Sequence, residues 1–72
     1  MGQLENARLN AANALVRDQK IPEPHRILGE VFEAMGNYDA SKEQFDLYLR
    51  LLPAAPEAAQ IRSKISQPPF PQ

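Results

Sequence analysis

The chain has 72 residues, with eight Lys and Arg against nine Asp and Glu, one His and no Cys. One small domain is the upper limit, and chains of this size bury only about 60% of their unfolded surface, so the core must be simple. Lack of cysteine excludes disulfide staples and thiolate chemistry, and a formal charge of −1 with both signs interspersed provides no field to hold nucleic acid or an anionic membrane.

No apolar run reaches the roughly 20 residues that span a bilayer, so membrane insertion is not expected. The N-terminus lacks the basic start and apolar stretch of a signal peptide, which predicts a soluble chain. The compartment stays open: cytoplasmic or, if a signal lies upstream in a parent protein, periplasmic.

Apolar residues recur at helical spacing throughout and no run alternates as a strand would, so the predicted class is all-α with about four helices. A first helix is expected from Gln3 to Gln19, with Leu4, Ala7, Ala11, Ala14 and Leu15 on one face. That face is mostly alanine, which permits close approach but buries little area. A second helix opens at Pro22 or Glu23, because proline is tolerated in a first turn whose N–H groups lack helical partners. It carries Ile27, Leu28, Val31, Phe32 and Met35 and stops at Gly36-Asn37. The third is expected from Tyr38 or Asp39 to Leu52, with Phe45, Tyr48, Leu49 and Leu52 inward and Pro53 closing it. A fourth runs from Pro56 to about Ile65 on Ala58, Ala59, Ile61 and Ile65. The helical domain thus spans 1–66, and the proline-rich tail 67–72 is expected to be extended and flexible.

Laid on itself at an offset of 34 residues, the chain aligns Ala7 with Ser41, Ala14 with Tyr48, Leu15 with Leu49, Pro22 with Pro56, Glu23 with Glu57 and Ile27 with Ile61. Within the unit 22–55, Leu28-Gly29 and Phe32 stand on the first helix and Gly36 with Tyr38-Asp39 at the turn. Ser41, Phe45, Leu49, Leu51 and Pro53 follow on the second. In this the chain resembles the tetratricopeptide repeat family, whose α-solenoid is built from antiparallel helix-turn-helix units. His25 departs from that pattern where a large aromatic is usual, and Tyr48 where alanine is. The resemblance extends to the flanks: 2–19 is similar to the second helix of a preceding unit, and 56–65 to the first helix of a following one. A chain opening at a repeat's internal turn reads as a piece of a longer protein.

The resemblance implies a non-catalytic module that binds a protein or peptide partner, as part of a larger scaffold. First helices of such units line a concave groove, which nominates Glu23, Arg26, Glu30 and Glu33, with Gln60 and Lys64 from the last helix. The plainer reading of the same side chains is ordinary solvated helix surface. A clamp for a C-terminal carboxylate, as in chaperone-binding members, is not expected because Glu30 would repel it. The alternative function is structural self-association: with only about two units' worth of helix, Leu4, Ala7, Ala11 and Ala14 would lack part of their cover and could pair weakly with a second copy. The single histidine, and the absence of phosphate-binding glycine loops or nucleophile motifs, leave no expectation of catalysis, metal or cofactor.

Overall fold

The computed structural model describes residues 2–71 and contains four helices, α1 (Gln3–Arg17), α2 (Pro22–Ala34), α3 (Tyr38–Leu51) and α4 (Ala58–Ile65). Met1 and Gln72, assigned from the sequence to the helical domain and the tail, lie outside the described residues. The fold is all-α, and no strand occurs among the described residues.

The ends of the helices follow from side-chain chemistry. The α1 helix stops two residues before Gln19, because the Asp18 carboxylate accepts from the Lys20 N–H at 2.9 Å and draws the chain into a turn. Pro22 occupies the first turn of α2. At its other end Gly36 has φ +80°; the Asn37 N–H donates to the Phe32 carbonyl (2.8 Å) and the Gly36 N–H to that of Glu33 (3.0 Å). These two reversed bonds satisfy carbonyls that the helix end leaves open. Asn37 then serves α3, its side-chain oxygen accepting from the Ala40 N–H at 3.3 Å. One glycine and one asparagine therefore end a helix and begin the next.

Helix axes are neighbours only in chain order: α1 packs on α2, α2 on α3 and α3 on α4, with no other helix pair in backbone contact among the described residues. The result is a slab of 28 × 27 × 17 Å. The tightest seam joins α2 and α3. Gly29 faces the Phe45 ring so closely that a Cβ there would lie 2.7 Å from two ring carbons. Beside it, fully buried Ser41 donates its hydroxyl to the Gly29 carbonyl at 2.6 Å. A small residue, a hydroxyl and an aromatic ring thus set the distance between the helices.

The largest apolar cluster lies on the other side of α3, where Phe45, Tyr48 and Leu49 meet Ala58, Ile61, Ile65 and Phe70, with Tyr38 and Ala55 at its edge. Phe70 corrects the expectation of an extended, flexible tail. Residues 67–70 turn back, the Phe70 N–H donates to the Gln67 carbonyl at 3.0 Å, and the Phe70 ring is 3% exposed. Its centroid lies 5.2 Å from that of Tyr38, edge-on, and 6.5 Å from that of Phe45. The four-turn apolar face of α3 is longer than the eight-residue α4 can cover, and the aromatic in the tail fills the remainder.

Other departures lie at element ends. The fourth helix begins at Ala58 rather than Pro56, with residues 53–54 and 56–57 in turns. Met35 and Leu52, expected inward, are C-cap residues where the backbone leaves the helix, and both are exposed. Ala59 is also exposed, since the buried stripe of α4 runs through Ala58, Ile61 and Ile65 at steps of three and four. Phe32 is only half-buried.

Replacing Gly29 by alanine should cost about 1–2 kcal/mol net, because overpacking against the buried ring outweighs the gain in helix propensity. Urea unfolding of Gly29→Ala checks this, and a variant as stable as the parent would mean that Phe45 yields freely. Phe70→Ala should cost about 3 kcal/mol by the same measurement, the usual loss for a buried aromatic. An unchanged midpoint would show that the tail lies outside the cooperative unit.

Candidate binding groove

Four of the six nominated side chains, Arg26, Glu30, Gln60 and Lys64, line one cleft, while Glu23 and Glu33 lie outside it. Arg26 and Glu30, one turn apart on α2, face Gln60, Ile61 and Lys64 of α4 across a cleft of about 190 Å³, with Glu57 at its mouth and the Phe45 ring beneath. Helical spacing explains the grouping, since residues 26 and 30 share one face of α2 and residues 57, 60, 61 and 64 one face of α4. Pockets for small molecules usually measure about 300–1,000 Å³, so this volume suits one inserted side chain rather than a whole ligand.

Charge within the groove is largely paired. Arg26 bonds both Glu23 and Glu30, spanning one turn in each direction. The hydrogen bond to Glu23, aided by the charges of Glu30 and Glu23, raises its pKa above the ordinary arginine value. Glu33 joins the site through Lys64, whose ammonium lies 3.1 Å from its carboxylate and links α4 to α2. The same nitrogen stands 5.5 Å from the centroid of the Phe45 ring. Glu30 and Glu57 line the cleft with Arg26 and Lys64; with Glu23 and Glu33, which pair with those two cations at its edge, the described surroundings hold four carboxylates to two cations.

Phe45, Glu57 and Ile61, which the repeat resemblance does not nominate, also line the groove. Glu57 aligns with Glu23 at the 34-residue offset, and that equivalence was the signal available for it. It accepts a hydrogen bond from the Tyr48 hydroxyl, which explains how a tyrosine is tolerated at a fully buried position of α3. This bond, with burial adding to it, pushes the Tyr48 phenol up to about 12, and it holds the Glu57 carboxyl below its ordinary value. His25 is buried. Its Nδ1 meets the Gln44 side-chain oxygen at 2.8 Å and its Nε2 the Gln19 carbonyl at 2.9 Å. The carbonyl can only accept, so Nε2 carries a proton, while the Gln44 amide can serve Nδ1 with either end. His25 thereby ties α3 and the α1–α2 turn to the start of α2.

The four residues of the suggested self-association face are not equivalent. Ala11 is 3% exposed, covered by α2, and so is not available at the surface. Ala7 and Ala14 are half-buried, while Leu4 is 44% exposed. Leu4 and Ala7 line a crevice of about 240 Å³ against Ile27 and Val31. The open apolar side chains of α1 beyond Leu4 are Leu9 and Val16, which the sequence reading did not single out.

Among the described residues no three of His, Asp and Glu converge as metal ligands, and no helix is long and apolar enough to cross a membrane. No family profile, curated protein or solved structure matches the chain.

The Tyr48–Glu57 bond gives stability a pH dependence on both sides. The depressed Glu57 carboxyl contributes above its ordinary pKa of 4.5, and this is lost as pH falls through the folded value. The raised Tyr48 phenol contributes fully below its ordinary 10.0 and is lost as pH climbs toward about 12. Unfolding free energy should therefore decline between pH 10 and 12, less steeply in Tyr48→Phe. Parallel pH curves for parent and variant would contradict the bond.

Proposed function

We propose that the chain is a non-catalytic binding segment of the tetratricopeptide type, receiving a peptide or protein partner in the cleft between α2 and α4. The observation that carries this reading is the meeting of Arg26, Glu30, Gln60 and Lys64, four of the six residues that the repeat resemblance nominates, around a single cleft. Packing in strict chain order supports it, because stacked helical units contact only their neighbours and leave one continuous face open. The close seam at Gly29 and Ser41 serves the same geometry.

The electrostatics indicate what the groove would select. A carboxylate terminus would approach Glu30 and an arginine already engaged by two carboxylates, whereas a lysine or arginine side chain could compete for Glu33, Glu30 or Glu57. The partner is accordingly a basic segment with one side chain short enough to enter the cleft.

Self-association through α1 remains as a second reading, favoured by Val16, which is 84% exposed, and by Leu9, seven residues earlier on the same face. It moves the contact from Ala11 to the outer side of the helix.

Selection from a random peptide library should enrich lysine- and arginine-containing ligands, and their binding should shift the amide signals of Gln60 and Lys64. Glu30→Lys with Glu33→Lys should weaken the selected peptides about tenfold or more. A library that yields nothing, in a protein whose molar mass by light scattering rises with concentration, would favour the second reading instead.

A further inference from the structure

A broad, open cleft lies on the other flank of α4. About 690 Å³ opens between α3, α4 and the returning tail, well within the range of ligand-sized sites. Its floor is apolar, made by Leu49 and Ile65, both more than nine-tenths buried, and Pro71 of the tail closes one side. Lys42, Arg50 and Arg62 stand around it, with Asp46 as the single carboxylate among the described lining residues.

The charges here are arranged differently from those of the α2–α4 groove. There Arg26 and Lys64 are each matched by carboxylates at hydrogen-bond distance. Here Lys42 stands 3.9 Å from Asp46, Arg62 donates to the Pro53 carbonyl at 3.1 Å, and Arg50 makes no ion pair among the described residues. Among the described residues neither Arg50 nor Arg62 is ion-paired, and three cations stand against one carboxylate above an apolar floor that a purely ionic ligand would leave wet. Lone surface arginines are common, but three cations around a concave apolar floor combine two recognition elements that one ligand can satisfy together. An acidic residue reaches the rim while an apolar side chain fills the floor.

We infer that the cleft between α3, α4 and the tail is a second docking site, which takes an acidic peptide segment of a partner protein through one apolar anchor side chain flanked by carboxylates. The anchor lies on Leu49 and Ile65, and its flanking carboxylates pair with Arg50 and Arg62. The docked tail belongs to the site, since Phe70 fastens residues 67–71 where Pro71 forms a wall. This site is independent of the α2–α4 groove and selects the opposite charge.

The test uses the whole chain and the acetylated, amidated peptide Glu-Glu-Leu-Glu-Glu, followed by NMR. Expected are shifts of the Leu49 and Ile65 methyl signals and the Arg50 and Arg62 side-chain N–H signals. Replacing the peptide's leucine by glycine should weaken binding about tenfold or more, the worth of one buried leucine side chain. Arg50→Glu, at an exposed position, should weaken it by about tenfold, and Arg50→Gln by less. Added salt should weaken it further. The inference is overturned if the peptide causes no shift at millimolar concentration, or if the glycine peptide or inorganic phosphate shifts the same signals equally. It is likewise overturned if the shifts fall on Gln60 and Lys64 of the α2–α4 groove, or if Arg50→Glu binds like the parent.

Discussion

The approach of α2 to α3 at Gly29 fixes the position of the Phe45 ring, on which both the core and the groove rest. The Phe45 ring fills the space that a side chain at residue 29 would need, and from there it reaches in two directions. Toward α4 and the tail it joins the apolar cluster with Ile61, Ile65 and Phe70, and toward the groove it underlies Lys64. A single aromatic therefore couples the seam, the core and the candidate site. The Ser41 hydroxyl, bonded to the Gly29 carbonyl, fixes the register of the seam as well as its width.

Opposite flanks of α4 present opposite chemistry. One flank, through Glu57 and Lys64, faces the carboxylate-rich surface of α2; the other, through Arg62 and Ile65, faces the cations of α3. Eight residues suffice because an α-helix displays both flanks within two turns. The chain's formal charge of −1 conceals this separation, since the two excesses cancel in the total. Composition excluded a large uniform field, but it carries no information about charges sorted across a helix.

Periodicity made the helices legible, and it placed Arg26, Glu30, Gln60 and Lys64 at matching positions of successive units. Such spacing reflects the backbone geometry of helices and survives without any knowledge of contacts. The tail was misread for the converse reason. Its prolines speak only about local backbone preference, whereas the burial of Phe70 is decided by apolar surface left uncovered on α3, a tertiary matter. Tyr48 and His25 were seen as departures from a repeat pattern, but their polar atoms find partners in Glu57, Gln44 and the Gln19 carbonyl. Glu57 and Gln19 lie in turns whose paths the sequence pattern does not fix.

Packing in chain order also governs how the molecule is assembled. Contacts between successive helices close short loops, so the entropic cost of bringing them together is small. The return of Phe70 to Tyr38 is different, because it joins residues at opposite ends of the α3–α4 region. A contact of that span is rewarded only after α3 and α4 are in place, so it belongs to the late, native side of the barrier. Interactions formed there chiefly slow unfolding and leave the folding rate almost unchanged. The tail acts as a latch on a structure that has already formed, lengthening the life of the native state without hastening its arrival.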